Sequence, residues 1–288
     1  MKTNKIESNI LLFIIIRGIF LLFFFKESLL NTILGSILGI TLIFITNKLK
    51  LKKSMFIKFI LVIILFLSSI LVLHNITDFI DYNILKDYSL LIIGLLFIGI
   101  CLLISIKGYH SYIKTVELSF YVIIFFSIAS FLLLIYNIDI SNFNMQLVKE
   151  LNFSFNFITM GLYIFIGYFL INYLNDYKLN NKVYLGSILF IILLKLLTIG
   201  IIGETLLNIY DYPYISILKR IKYLDFIERM EGILSLQYLF DFFFIFSLIL
   251  LCIKYLVGEI FKLKKDKIIN ITLSIIASII FIFAFIIP

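Results

Sequence analysis

The chain reads as an all-α, polytopic membrane helix bundle of about nine spans. Three observations lead there. Sixty-two per cent of the 288 residues are hydrophobic and only 15% are charged. Mean hydropathy is +1.15, and a single soluble core of this size has no means of hiding so much apolar surface. The apolar residues also come in runs of about 20, the length that crosses a bilayer as helix. Lipid offers no partner to an open sheet edge, so the runs are helices. A soluble enzyme and a disordered chain are both excluded.

In order, the runs fall at about 9–25, 28–46, 55–73, 89–106, 116–136, 153–174, 183–202, 233–256 and 268–287. Nine spans use roughly 180 residues, so 1–288 forms one transmembrane domain. The first run follows Lys2 and Lys5, but bulky Phe23-Phe24-Phe25-Lys26 follows it in turn. No small-residue cleavage site is present there, and the run is expected to remain as a span. In the second run Gly35 and Gly39 are spaced for close helix approach. The sixth carries Asn156, Thr159 and Gly161, a pattern able to mark a broken helix with backbone groups free for a ligand or simply a packing face.

Between the seventh and eighth runs lies the longest loop, Gly203 to Gly232. Pro213 is suited to open a helix. Ile215, Leu218, Ile221 and Leu224 then recur at helical spacing opposite Lys219, Arg220, Lys222 and Asp225. The pattern predicts an outer amphipathic helix at about 214–231 that caps the bundle or docks a partner.

Basic residues set the orientation. With the N-terminus inside, sixteen Lys fall on inner segments against seven Lys and Arg on outer ones, while Asp78, Asp81, Asp87, Asp139, Glu204 and Asp211 fall outside. The net charge of +8 therefore belongs beside anionic lipid, and nucleic acid is not needed to explain it. Tyr82, Tyr88, Tyr136, Tyr173, Tyr177, Tyr210, Tyr212 and Tyr214 sit near span ends, as interfacial anchors do in a chain without tryptophan.

Charge inside a span is the strongest functional signal, because insertion costs roughly 2.5–3.5 kcal/mol per group. Arg17, followed by Gly18, is central in the first span, and Asp241 is deep in the eighth. Their depths match, so the two are expected to pair, as a static lock or as a site that responds to a ligand. Gln237 shares the helix face of Asp241. Lys195 lies about two turns from the outer end of its span and is expected to snorkel outward. Cys101 and Cys252 lie inside apolar runs and read as packing thiols. His74 and His110 are isolated, and no catalytic, metal or cofactor motif is present.

Two segments resemble the B subunit of bacterial spore germinant receptors, the endospore germination permease family. One is Tyr212-Pro213, Lys219, then Asp225-Phe226-Ile227-Glu228-Arg229-Met230-Glu231 leading into the eighth span. The other is Lys107-Gly108, Lys114 and Glu117 at the start of the fifth. The order of spans and loops matches over nearly the whole chain. The resemblance implies the inverted-repeat, LeuT-like fold of the amino acid–polyamine–organocation transporters, with the tenth helix lacking here. It implies a small germinant, an amino acid among the candidates, held mid-membrane between broken first and sixth helices. Arg17, Gly18, Thr159, Gly161, Gln237 and Asp241 are then the candidate ligand-binding residues.

The implied partners are membrane lipids, a membrane A-type subunit and a lipoprotein C-type subunit, in the plasma membrane or inner spore membrane. Two rivals stand beside this sensor reading. One is a permease of the same superfamily, moving amino acids with protons or cations. The other is a polysaccharide-processing membrane enzyme, in which Arg220 and Arg229 would hold glycan phosphate.

Overall fold

The computed structural model describes residues 5–49, 55–84, 88–135, 137–139, 142, 156–174, 181–210, 212–220, 230–263 and 265–286. Among these, each of the nine apolar runs forms one long helix. They are α1 (Lys5–Ile19), α2 (Leu29–Leu49), α3 (Met55–Asn83), α4 (Leu90–Lys107), α5 (Tyr109–Ile135), α6 (Asn156–Leu174) and α7 (Asn181–Ile209). A short α8 (Pro213–Arg220) precedes α9 (Met230–Ile260), the eighth apolar run, and α10 (Asp266–Ile286). Eight are long and apolar enough to cross a membrane, and α2 carries the shorter apolar stretch Leu29–Ile45. The protein is a polytopic membrane helix bundle.

Burial divides the helices. Most of α9 and of the first span is buried, whereas α3, α4, α5 and α10 show much of their surface to the surroundings. Leu67, Leu95, Leu118 and Phe125 are all more than half exposed, which lipid tolerates and water would not. α1 is central and touches α5, α6, α7 and α9. It runs on into a π-helical turn, Phe20–Phe24, which starts three residues after Arg17. Single π turns inside helices recur at functional sites.

Several boundaries differ from the apolar runs. α3 continues to Asn83, ten residues past its run; that extension carries His74 and Asp78 as an exposed pair 3.4 Å apart. α5 begins at Tyr109 because Gly108, at φ +94°, ends α4 there. Lys254 of α9 secures this corner, donating to the carbonyls of Ser105 (3.2 Å) and Ile106 (2.9 Å) at the end of α4. α7 is interrupted at Gly203, where φ is +77°.

α2 and α6 form the most extensive helix pair. Glycine makes this possible. A Cβ on Gly35 would stand 2.8 Å from Met160 Sδ and 3.0 Å from the Phe157 carbonyl, and one on Gly161 would stand 3.0 Å from the Gly35 carbonyl and collide with Leu38. The expected break in the sixth span is absent: α6 is continuous from Asn156 to Leu174. It contains no proline, and Gly161 is used for packing.

The outer loop helix is seen as Pro213–Arg220, and 221–229 lie outside the described residues. Tyr214, Ile215 and Ile217 are at most 1% exposed, and α8 packs on α7 and α9. Tyr214, expected as an interfacial anchor, is therefore a core residue. Its ring lies between Phe25 and Tyr238 and its hydroxyl bonds Ser130. Tyr136 and Tyr177 lie outside the described residues.

Candidate functional site: a buried charged cluster beneath a polar vestibule

Arg17 and Asp241 meet. Nη2 of Arg17 donates to Oδ2 of Asp241 at 2.6 Å, and both side chains have no exposed surface. Three helices contribute. Arg17 comes from α1, Gln237 and Asp241 from adjacent turns of α9, and Ser127 from α5. Nη1 of Arg17 donates to Ser127 Oγ at 2.9 Å, while that hydroxyl donates to the Ile123 carbonyl at 2.7 Å. Gln237 lies against the same group; its amide oxygen is turned to the guanidinium, because the opposite orientation would face NH2 with cationic N–H. So oriented, it accepts from Nη2 at 3.0 Å.

Gly18 allows the approach. A Cβ there would stand 3.2 Å from Asp241 Cβ and 3.1 Å from Ile245. The cluster satisfies most of its polar atoms, as buried charge requires. Two atoms have no hydrogen-bond partner among the described residues: Arg17 Nε, a donor, and Asp241 Oδ1, an acceptor. Buried polar atoms left in this way are rare in native folds and call for an explanation.

Aromatic rings cover the cluster on the side of the α1 C-terminus. Tyr238, one turn from Asp241, stacks on Phe79 at 5.4 Å with an interplanar angle of 11°. Phe79 in turn meets Tyr212 edge-on at 4.9 Å. Burial pushes the Tyr214 hydroxyl up to about 12, against the lowering effect of Ser130 and Arg17, so it stays a neutral phenol.

Above this layer is a cavity of about 580 Å³ whose walls include Lys26, Asn75, Asp78, Asp81, Tyr82 and Tyr212, and whose base includes Phe25 and Phe242. It is polar at the rim and aromatic beneath.

The other sequence candidates lie elsewhere. Thr159 is exposed and bonds its own helix, at the Asn156 carbonyl, at 2.8 Å. Gly161 is at the α2 interface. A hollow does lie between α1, α6 and α9, but it is apolar, and neither Arg17 nor Asp241 lines it. Lys195 does not snorkel: it is 1% exposed and donates to Thr32 on α2 at 2.7 Å. Cys101 and Cys252 are buried free thiols. Among the described residues no group of three His, Cys, Asp or Glu is placed for a metal.

Sequence reasoning missed Ser127, Ser130, Tyr214 and Tyr238. The serines at i and i+3 in apolar α5 were a usable signal; the tyrosines look like interfacial ones until the loop is folded. The acids of the vestibule were read only as markers of topology. No family model matches the chain, and no curated protein matches it.

Proposed function

We propose that this protein is a ligand-sensing membrane subunit of the spore germinant receptor type, responding to a small zwitterion of the amino-acid class. The observation that carries this reading is the fully buried Arg17–Asp241 pair, with one donor and one acceptor left unpartnered. A molecule bearing both carboxylate and ammonium is complementary to those two atoms. The vestibule, with Lys26 beside Asp78 and Asp81, has the same mixed polarity and supplies an approach from the side expected to be outside. Rearrangement of the aromatic layer then admits the ligand. Preference for the rearranged state shifts the population toward it and passes the signal to the A-type and lipoprotein C-type subunits.

The helix contacts support the inverted-repeat architecture. Exchange α1–α4 for α6, α7, α9 and α10 in order, and three of the pairs that change partner map onto contacting pairs. The pair α1·α7 maps to α2·α6, α4·α9 to α3·α10, and α3·α4 to α9·α10, all of them present. Ligand sites of such folds lie at the interface of the halves, where Arg17 and Asp241 are.

The test is saturable binding of labelled amino acids to the full chain in vesicles. Binding that falls at least tenfold in Asp241→Asn, without accumulation inside the vesicles, supports the sensor. Accumulation driven by an ion gradient supports the permease reading of the same site. No saturable binding across the amino acids overturns both.

A further inference from the structure

The symmetry of contacts fails at two places: the small α6–α9 contact has no comparable α1–α3 counterpart, and the larger failure concerns α1 and α9. α1 packs on α9, yet the equivalent pair, α3 and α6, has no comparable contact. A groove of about 360 Å³ separates them, with α1 and α9 as its floor. Leu67 and Leu71 on one wall and Leu162 on the other are 56%, 51% and 43% exposed, so the groove opens sideways toward lipid. From Thr159 down to Leu170 its α6 wall spans about 17 Å. That is close to one leaflet, half of the ~30 Å hydrocarbon core. At the lower end Lys58 of α3 and Tyr173 of α6 converge on Glu259 of α9, at 2.6 and 2.5 Å, and tie the two walls together. At the upper end Phe23 lines both the groove and the polar vestibule.

We infer that the groove and the vestibule together hold one aminophospholipid, its acyl chain between α3 and α6 and its headgroup among Lys26, Asp78 and Asp81. The chemistry selects this occupant. An apolar channel one leaflet long fits a single acyl chain. A headgroup beside it must present a cation to the two carboxylates and an anion to the lysine, as phosphoethanolamine does. A glycerol-phosphate headgroup brings only negative charge to a rim with an acidic excess, and a choline has no N–H to donate. The inference uses none of Arg17, Ser127, Gln237 or Asp241, and lipid retention is read without the ligand; it shares only the vestibule with the ligand approach proposed above, so a bound headgroup and an entering ligand exclude one another.

Native mass spectrometry of the purified full chain, with phosphatidylethanolamine or phosphatidylglycerol added, tests it. Phosphatidylethanolamine is expected to be retained at least tenfold better. Leu162→Trp, which fills the groove, and the double variant Asp78→Asn/Asp81→Asn, which neutralises the rim, are each expected to remove that tenfold. Glycerophosphoethanolamine, the headgroup without chains, is expected not to be retained. Equal retention of the two lipids, full retention by Leu162→Trp, or equally tight retention of the bare headgroup overturns the inference. Leu71→Trp, on the facing wall, replaces Leu162→Trp should that variant fail to fold, as judged by its elution and thermal melt.

Discussion

The α1–α9 and α2–α6 interfaces are both buried helix pairs in one bundle, and they are held by opposite means. α1 meets α9 through an ion pair with no exposed surface, supported by Ser127 and Gln237. α2 meets α6 through Gly35, Gly39 and Gly161, with backbone carbonyls close enough to touch an added Cβ. In lipid, apolar surfaces gain little by meeting one another, so close approach and polar bonding are the two available adhesives. The glycine interface works without a partner for any charge. The ionic interface is conditional: each member is tolerable only while the other is present. A bundle needing adhesion alone has no reason to take the second route, and the functional proposal rests on this contrast.

The comparison is broken most severely by unpairing the charges. Arg17→Leu or Asp241→Leu alone is expected to cost about 3–5 kcal/mol of stability. The double variant is expected to recover most of that, in thermal melts of the detergent-solubilised chain. A loss in the double variant equal to the sum of the two single losses would show that the two residues are not coupled.

Next in size is Gly35→Leu, where the new side chain meets Met160 and the Phe157 carbonyl. Overpacking of this kind costs typically 1–3 kcal/mol, with binding at the buried cluster unchanged. Gly18→Ala sharpens the contrast, because it puts a glycine-type clash inside the ionic interface. The methyl presses on Asp241 at 3.2 Å. About 1 kcal/mol is expected, together with weaker ligand binding, which Gly35→Leu would not produce. Tyr214→Phe removes the hydroxyl that bonds Ser130 and is expected to cost about 1 kcal/mol. Smallest is Lys58→Met. Its bridge to Glu259 is partly exposed and is expected to contribute about 0.5 kcal/mol or less.

The long elements were legible because a run of twenty apolar residues has one stable solution in lipid. Arg17 and Asp241 were legible for the same reason, since depth can be counted along a span and charge at that depth demands a partner. What stayed hidden depends on azimuth. Thr159 and Gly161 sit at suitable depth but on faces of α6 turned to lipid and to α2. Tyr214 looked interfacial because the loop holding it folds inward, which no local pattern announces. Lys195 had a plausible route to the interface, and only the position of Thr32 across the α2–α7 contact shows why it stays inside.

Lys254 gives α9 a second attachment, thirteen residues beyond Asp241, or about 20 Å along the axis. At one station the helix grips the arginine of α1; at the other it grips the last carbonyls of α4, beside the Gly108 bend. The rod between them is a single uninterrupted helix, stiff against stretching because every turn is hydrogen-bonded. Any axial slide of α9 at the first station would therefore be carried to the second, where it would shift the α4–α5 elbow or break the Lys254 bonds. The buried ion pair and the α4–α5 elbow are in this way joined by one rigid connector.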